Sequence, residues 1–268
     1  DKVITEAGYF FQDTAFYESY PRKVLTGKPS AYLKIQEGCN NRCAYCTIPS
    51  IRGDLRSRTI ADIRAEFTYL LENGYREISI VGQDITSYGM DGKFDLKTLL
   101  RHMLKVEGDF FLRLLYMHPK GVDDELIDLI GESEKIIPYL DIPIQHSEDR
   151  ILSLMGRGYT RKQLECLFQK IKDRIPNATL RTTVLVGFPG ETENEFAGLC
   201  DFVKKCEFDM LGAFTYSREE GTRAFRFKGH LRKNAKQKRY NTIMEMQREI
   251  SGRRLGRLVG TKNFVIVE

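Results

Sequence analysis

The run Ala31-Tyr-Leu-Lys-Ile-Gln36 leads almost directly into Gly38-Cys-Asn-Asn-Arg-Cys-Ala-Tyr-Cys46, and these two stretches decide how the rest of the chain is interpreted. The first stretch alternates apolar and polar residues, which predicts a β-strand. The second places three of the six cysteines within eight residues, spaced C-x3-C-x2-C, on a predicted loop. Thiolates packed this closely usually hold a metal ion or an iron–sulfur cluster.

The number of cysteines in this loop narrows the choice of metal. A structural zinc site normally has four nitrogen or sulfur ligands, and none of the histidines lies near the loop in sequence: His102, His118, His146 and His230. A [4Fe–4S] cluster held by three cysteines keeps one iron open for a substrate or cofactor. We therefore favour a reactive cluster, with a zinc site or ordinary buried cysteines as the alternatives.

The composition is typical of a soluble globular protein with one large domain. The chain has 268 residues, of which 41% are hydrophobic and 29% are charged. It contains no apolar run of membrane-spanning length and no recognisable signal peptide, so we predict no association with a membrane. Six cysteines in a chain of this size do not suggest a secreted disulfide scaffold. We predict a monomer in the reducing cytoplasm.

Positive charge is concentrated near the carboxyl end. Residues 230–262 carry ten Lys or Arg residues against two acidic ones, in a chain whose net charge is +5. A basic segment of this kind suits nucleic-acid or ribosomal surroundings. The solvated face of a helix has the same composition, so the sequence leaves both interpretations open.

Strand-like and helix-like segments alternate from residue 31 onward. Strands are predicted at 31–36, 77–84, 111–118, 137–145, 179–186 and 210–216, and helices at 59–73, 95–106, 123–132, 160–174, 192–206 and 233–252. Six such alternations predict an α/β fold with a parallel sheet. Polar residues and glycines collect where the strands end, which is where parallel α/β folds place their sites. A single mouth that gathers these loops favours a barrel-like sheet over an open, doubly wound one.

The two ends of the chain are predicted to lie outside the core. Residues 1–30 contain aromatic clusters without a sustained period, and we interpret them as a connecting segment. Residues 31–252 form the predicted core domain. Residues 253–268 end in Asn263-Phe-Val-Ile-Val-Glu268, a strand-like run without a visible partner. This run predicts the start of a small β domain that continues in a longer protein.

The loop from Cys39 to Cys46 resembles the signature of the radical S-adenosylmethionine (SAM) superfamily, in which an aromatic residue precedes the last cysteine. The resemblance implies the superfamily's partial (β/α)6 barrel of the TIM type. It also implies a [4Fe–4S] cluster on Cys39, Cys43 and Cys46, with SAM at the open iron and Tyr45 near the adenine. In that superfamily one electron from the cluster cleaves SAM to a 5′-deoxyadenosyl radical, which abstracts hydrogen from an unactivated carbon.

Further motifs resemble the methylthiotransferases within this superfamily: Glu37-Gly-Cys-Asn40, Ile48-Pro-Ser-Ile-Arg-Gly53, Gly82-Gln-Asp84, Met155-Gly-Arg157 and Gly187-Phe-Pro-Gly-Glu-Thr192. The loop after Ile48 and the run from Gln83 to Gly89 are similar to the RimO type. This similarity implies methylthiolation of the β-carbon of an aspartate in small-subunit ribosomal protein S-twelve, with a reductant such as flavodoxin or ferredoxin as a further partner.

Two other functions remain open at this point. The alternative with the same chemistry is a tRNA (isopentenyl-adenosine) methylthiotransferase of the MiaB type. The alternative of another class is a zinc-stabilised module that binds RNA or the ribosome.

The family also has parts that are not recognisable in this chain. Its amino-terminal domain supplies three more cysteines for a second [4Fe–4S] cluster, and its carboxy-terminal β domain (TRAM) helps to hold the substrate. We therefore expect this fragment to bind one cluster and SAM without completing methylthiolation alone. The remaining cysteines, Cys166, Cys200 and Cys206, lie on predicted helices, and we expect them to pack in the core.

Four residues besides Tyr45 are candidates for binding SAM. Gln83 and Asp84 follow the second strand, where the superfamily holds the SAM ammonium group, although a plain turn would also explain them. Arg181 is a candidate to pair with the SAM carboxylate, and an outward-facing strand arginine is the alternative. Gln145 is a candidate to reach the ribose hydroxyls.

Overall fold

A computed structural model describes residues 2–5, 8–11, 24–25 and 27–262. The strands within this part are β1 (Lys2–Thr5), β2 (Gly8–Phe11), β3 (Ser30–Lys34), β4 (Gln36–Glu37), β5 (Arg56–Ser57), β6 (Glu77–Val81), β7 (Phe111–Leu114), β8 (Ile136–Asp141), β9 (Thr179–Val186) and β10 (Met210–Thr215). The α-helices are α1 (Ile48–Arg52), α2 (Ile60–Glu72), α3 (Leu96–Leu104), α4 (Asp124–Glu132), α5 (Asp149–Met155), α6 (Arg161–Arg174), α7 (Glu193–Cys206) and α8 (Lys233–Gly256).

One parallel sheet organises the molecule. Its strands are ordered β10-β9-β8-β7-β6-β3, and every neighbouring pair is parallel. This order follows the chain from one edge to the other, without the reversal that defines a doubly wound sheet. Because crossovers between parallel strands are right-handed, a sheet that never reverses has all its helices on one face. The predicted α/β partial (β/α)6 barrel is confirmed, with β3 and β10 as its unpaired edges within the described residues.

The two faces of the sheet have different surroundings. On β3, Ala31 and Leu33 are buried against the helices, whereas Tyr32 between them is 52% exposed on the inner face. The helix-facing side holds the continuous apolar core, which includes Phe67 on α2 and Leu99 on α3. The inner face lines a cavity of about 1250 Å³ near the amino ends of the strands. The inner face of the sheet therefore borders open space at this end of the barrel.

Most predicted elements are present with boundaries shifted by a few residues. The capping boxes of α6 and α7 form as their sequences indicate, at Thr160 with Gln163 and at Thr192 with Glu195. Several strands end earlier than predicted, because polar residues at the mouth belong to loops. The short helix α1 and the small antiparallel pair β4–β5 were not predicted.

The ends of the chain are described only in part. β1 and β2 pair in an antiparallel hairpin within the segment predicted as a connection. Helix α8 continues to Gly256, past the predicted end at residue 252. Residues 263–268, for which a strand was predicted, lie outside the described residues.

Part of the basic charge of α8 is paired within the fold. Arg253 and Arg254 form ion pairs with Glu207 and Asp209 respectively.

Among the residues that the structure describes, no helix combines the length and apolar character needed to cross a lipid bilayer.

Candidate active site

The cysteine loop leaves the end of the first barrel strand through a turn that only glycine accommodates. Gly38 has a φ of +74°, and a Cβ added there would lie 2.1 Å from the Asp54 carbonyl oxygen. Beyond it, the Cys39 N–H donates to the Gly53 carbonyl at 3.3 Å. The chain between Cys39 and Gly53 therefore closes on itself, and the three cysteines lie inside this closed loop.

Each of the three cysteine sulfurs accepts a hydrogen bond. The Asn41 N–H donates to Cys39 Sγ at 3.5 Å, and the Ile48 N–H donates to Cys46 Sγ at 3.4 Å. The donor to Cys43 Sγ is a guanidinium nitrogen of Arg157, at 3.3 Å. Hydrogen bonds to the sulfurs are a general feature of iron–sulfur sites, where they tune the cluster.

The cysteines open onto one compact cavity at the carboxyl ends of the strands. Its volume is about 210 Å³, and its lining comes from the segments that follow four strands of the barrel sheet, β3, β6, β7 and β8: Cys39, Asn41, Cys43, Tyr45, Cys46, Ile48, Gln83, Asp84, Tyr116, Met117, His118, Pro143, Gln145 and Arg157. We call this cavity the cysteine pocket. It gathers the three cysteines with Tyr45, Gln83, Asp84 and Gln145, four of the five residues that the sequence offers as candidates for binding SAM.

The donor set fits a cluster better than a single ion. Within the described residues, no three His, Cys, Asp or Glu side chains converge closely enough to hold one metal ion. Ligands of a [4Fe–4S] cluster bind separate iron corners, so they lie farther apart than the ligands of one ion. Burial raises the pKa of the Cys39 and Cys46 thiols. The thiolate forms that bind metal therefore require a positive group beside them, which iron provides.

The comparisons with known proteins agree with this geometry. The family model of the radical SAM superfamily matches residues 33–203. The chain belongs to the radical SAM superfamily. A curated relative from Natranaerobius thermophilus, named ribosomal protein uS12 methylthiotransferase RimO, is 46% identical over 242 residues, which is 90% of this chain and 54% of that protein. This chain spans between 54% and 63% of the length of eight curated relatives, all of which carry the same name.

Solved structures show the same fold at low sequence identity. Coproporphyrinogen III oxidase (HemN) from Escherichia coli superimposes with a TM-score of 0.62 at 15% identity, over 83% of this chain and 53% of HemN. The methyltransferase TsrM from Kitasatospora setae, solved with cobalamin and a [4Fe–4S] cluster bound, gives 0.57 at 20% identity, over 69% of this chain and 36% of TsrM. These similarities support the barrel architecture of the radical SAM superfamily.

The motif Met155-Gly-Arg157 of this radical SAM chain joins the end of α5 to the cysteine loop. The Met155 carbonyl accepts a hydrogen bond from the Ala44 N–H at 2.8 Å, in the centre of the cysteine loop. Gly156 ends α5 in the left-handed conformation with a φ of 73°. The turn directs Arg157 to the cysteine pocket, where it is only 7% exposed. The sequence comparison with methylthiotransferases singled out this motif, but no role for Arg157 was predicted.

Arg157 is held by three acceptors. Besides Cys43 Sγ, it donates from Nε to Tyr159 Oη at 2.7 Å and from Nη2 to the Pro143 carbonyl at 2.9 Å. Burial alone lowers the pKa of Arg157, but the neighbouring Tyr159, Tyr45 and Cys43 raise it above its usual value. The guanidinium is therefore positively charged at any pH at which the protein is folded.

Asp84 connects the loops of the cysteine pocket to one another. Its carboxylate accepts from Asn41 Nδ2 at 2.6 Å, from Thr86 Oγ1 at 2.6 Å and from the His118 N–H at 3.3 Å. Both of its oxygens are therefore engaged by the protein. The neighbouring Gln83 donates to Glu37 Oε1 at 3.1 Å, and its own buried Oε1 has no partner within the described part of the chain. Of the two residues, only Gln83 has a side-chain oxygen that accepts no hydrogen bond within the described part of the chain.

Two non-glycine residues at the rim of the cysteine pocket have left-handed backbone conformations. Tyr116 has a φ of 62° and Gln145 has a φ of 65°. Residues that carry a side chain rarely adopt this backbone conformation, and such backbone strain is concentrated at binding sites. The backbone of Gln145 is fixed between Thr183 and Leu185 of β9 at 2.8 Å on each side. This places the Gln145 side chain at the wall of the pocket.

The aromatic residue of the signature packs against the loop after β9. Tyr45 meets Phe188 edge to face, with ring centroids 6.5 Å apart. Phe188 is fully buried within the Gly187–Gly190 turn, and the Glu191 carboxylate accepts a hydrogen bond from the Gly187 N–H to fix that turn. Burial raises the pKa of the Tyr45 hydroxyl well above its usual value. Tyr45 therefore presents a neutral ring to the pocket.

The structure places Arg181 away from the other candidates. It lies in the first half of β9, lines the larger cavity near the amino ends, and pairs with Asp141 at 2.9 Å. It is not among the residues lining the cysteine pocket. Burial raises the pKa of Asp141, an effect that Arg181 opposes in part. The pair was not foreseen from sequence, because the register of β8 against β9 brings the two residues together.

The three remaining cysteines differ in exposure. Cys200 and Cys206 are buried on α7, and burial raises the pKa of both thiols to about 11. The prediction of core packing is confirmed for these two residues. Cys166 is exposed, so the same prediction was wrong for it. The Cys166 side chain lies on the solvent-facing side of α6, next to residues that pack against the sheet.

Proposed function

We propose that this chain is the radical SAM core of a methylthiotransferase that acts on ribosomal protein uS12. The proposal is supported most by one observation: a chain 46% identical to a protein with that name also has three cysteines opening onto one pocket at the mouth of its barrel. Residues 31–252 form the core in this proposal, residues 1–30 connect to a preceding domain, and the chain from 253 begins a TRAM-like domain.

The cofactors in this proposal are a [4Fe–4S] cluster and SAM. When they are bound, they supply the reductive cleavage of SAM that begins radical chemistry. Cys39, Cys43 and Cys46 are the cluster ligands. The free Gln83 oxygen accepts from the SAM ammonium group, and Asp84 adds negative charge while it holds the cysteine loop in place. Tyr45 packs beside the adenine, and Gln145 bonds the ribose.

The substrate in this proposal is the side chain of an aspartate of ribosomal protein uS12. The methylthio group is added at its β-carbon, after hydrogen abstraction at the barrel mouth. The barrel walls hold the reacting groups away from water, as radical chemistry requires. A second [4Fe–4S] cluster, in an amino-terminal domain of the longer protein, handles the sulfur. A reductant such as flavodoxin or ferredoxin supplies electrons to a monomeric enzyme in the cytoplasm.

The first test separates a radical SAM enzyme from a zinc-stabilised binding module. The chain is reconstituted anaerobically with iron and sulfide, and metal content and SAM cleavage under a strong reductant are measured. We expect about four irons per chain, as three cysteines of a [4Fe–4S] site require, together with release of 5′-deoxyadenosine. One tightly bound zinc without SAM cleavage would contradict the proposal.

The second test chooses between the two methylthiotransferase substrates. The full-length protein, with both clusters reconstituted, is offered ribosomal protein uS12 and, separately, tRNA that carries isopentenyl-adenosine. We expect a mass increase of one methylthio group on an aspartate of uS12 and none on the tRNA. A methylthio group found only on the tRNA would overturn the substrate assignment and leave the radical SAM chemistry in place.

A further inference from the structure

Arg157 differs from the other hydrogen-bond donors to the cysteine sulfurs. The donors to Cys39 and Cys46 are the backbone N–H groups of Asn41 and Ile48, each two residues along the chain from its acceptor. The donor to Cys43 is a buried, charged guanidinium from the segment after α5, 114 residues further along the chain. Only the Cys43 corner therefore has a full positive charge in contact with its sulfur.

Arg157 also differs from the other buried arginines in its counter-charge. Arg58 pairs with Asp62 and Glu66 at 2.7 and 2.6 Å. Arg239 pairs with Glu191 and Glu193 at 3.0 and 2.6 Å. Within the described residues Arg157 has no carboxylate partner, and its acceptors are a sulfur, a phenol and a carbonyl oxygen. A buried charge without a compensating charge is strongly destabilising.

We propose that Arg157 is the positioning residue and the charge partner of the cluster at Cys43, and that it makes the cluster easier to reduce. This inference rests on the proposed cluster. Three thiolates give the ligand set a negative charge, which compensates the buried guanidinium. Reduction adds one more negative charge at a site of low dielectric, so a cation in contact with one sulfur stabilises the reduced form more than the oxidised form.

The other two bonds of Arg157 explain how the charge is held in place. The Pro143 carbonyl belongs to the chain after β8, and the Tyr159 hydroxyl in turn donates to the Ile144 carbonyl at 2.8 Å. The guanidinium is thus fixed to the end of a central barrel strand while its remaining nitrogen points at Cys43. Since the planar fork of arginine matches three separate acceptors, lysine can replace the charge but not the geometry.

The test is a redox titration of the reconstituted full chain under anaerobic conditions, monitored by the EPR signal of the reduced cluster. A variant with Cys39, Cys43 and Cys46 all changed to Ala provides the background to be subtracted. We expect Arg157→Gln to keep iron and to reduce the ratio of reduced to oxidised cluster about tenfold at a fixed potential, equivalent to a midpoint about 59 mV lower. We expect Arg157→Lys to shift the midpoint less and to alter the EPR line shape.

Arg161→Gln is the matched control. Arg161 lies four residues away, but its charge is paired with Glu148 and Glu165, and it does not line the cysteine pocket. Its loss is expected to leave the midpoint unchanged. An iron-loaded Arg157→Gln variant with the wild-type midpoint would overturn the inference, as would equal shifts in the two Gln variants.

The charge-partner role of Arg157 can still be tested if the Arg157→Gln variant loses the cluster. If Arg157→Gln takes up no iron, an Arg157→Lys variant that retains the cluster supports the charge-partner role, and one that loses it contradicts that role. A wild-type chain without a cluster would overturn the proposed function and this inference together. An unchanged midpoint in Arg157→Gln would overturn the inference alone.

Discussion

The two ends of the barrel interior differ in how their charges are satisfied. On the side of the amino-end cavity, Arg113 pairs with Glu77 at 2.6 Å, and Arg181 pairs with Asp141, the last residue of β8, at 2.9 Å. At the carboxyl ends, the cysteine pocket combines a cation without a carboxylate, a buried amide oxygen without a partner in the described chain, and two strained backbones. The amino-end cavity is the larger, at about 1250 against 210 Å³.

This difference indicates which end is built for a ligand. Near the amino ends the two arginines, Arg113 and Arg181, each pair with a carboxylate of the fold, although Asp141 Oδ1 has no hydrogen-bond partner within the described residues. The cysteine pocket keeps a cation without a carboxylate partner in the described residues, an unsatisfied amide oxygen and strained backbones, which cost stability unless a bound group compensates them. Size alone would have selected the amino-end cavity. The predictions below test this contrast, beginning with the largest expected effect.

Removal of any one cysteine of the loop is expected to abolish the function of the pocket. Cys39→Ala, Cys43→Ala and Cys46→Ala each remove one of three ligands, so iron content should fall to background and SAM cleavage should be lost. Iron analysis and product chromatography after anaerobic reconstitution measure both. Cys166→Ala, an exposed cysteine on α6, is the control and should retain wild-type iron. Equal iron content in Cys166→Ala and in a loop variant would contradict the assignment of the loop cysteines as cluster ligands.

The turn before the cysteine loop is expected to tolerate no side chain. Gly38→Ala places a Cβ against the Asp54 carbonyl in a positive-φ conformation, and should lower the free energy of unfolding by about 3 kcal/mol. Gly221→Ala is the matched control, because its φ of +80° is similar but its Cβ would have open space. It should cost about 1 kcal/mol. Denaturant titration of both variants measures the difference, and equal costs would contradict a requirement for close approach.

Arg181→Ala tests the paired charges of the amino end. It leaves the buried Asp141 carboxylate without its cation, which should cost about 1 to 3 kcal/mol at pH 7, moderated by the partial exposure of Arg181. The pKa of Asp141 is already raised by burial, and loss of Arg181 raises it further. Protonation removes the buried charge, so the deficit relative to wild type should shrink as the pH falls from 7 toward 4.

The free energy of unfolding of wild type and of Arg181→Ala, measured at several pH values, gives this difference in stability. Lys170→Met, which breaks an exposed pair with Asp124 on the outer surface, is the control and should change stability little at any of these pH values. SAM binding by Arg181→Ala should remain, because Arg181 lies outside the cysteine pocket. A large loss of SAM affinity in a stable Arg181→Ala variant would instead return this residue to the SAM site.

The smallest expected effect concerns one polar contact at the rim. Gln145→Ala should weaken SAM binding about fivefold, the equivalent of one hydrogen bond of about 1 kcal/mol, with little change in stability. Isothermal titration of the iron-loaded chain measures the affinity. Gln169→Ala on the exposed face of α6, where the amide bonds only Asp173, is the matched control and should leave the affinity unchanged. Identical affinities in the two variants would remove Gln145 from the proposed site.

The sequence predicted the fold because periodicity and order are local properties. The alternation of strands and helices and the collection of polar residues after strands follow from spacing alone. The cysteine motif located the pocket for the same reason. Helix α1 was missed because five residues are too few to show a helical period.

The contacts that depend on the three-dimensional path of the chain were not predictable from sequence. Arg157 approaches Cys43 only because Gly156 ends α5 in a left-handed turn above the cysteine loop. Arg181 meets Asp141 through the register of two strands, which sequence patterns do not specify. Cys166 lies on the amphipathic helix α6, where a difference of one position along the sequence decides whether a side chain faces the core or solvent.

The most direct test of the account is the response of the reduced cluster to SAM. The chain is reconstituted anaerobically, reduced, and examined by EPR before and after SAM is added. The account predicts a [4Fe–4S] signal that changes shape on addition of SAM, because three cysteines leave one iron available, and no signal in the variant with all three loop cysteines replaced. A cluster spectrum unaffected by SAM, or one bound zinc in place of iron, would contradict it.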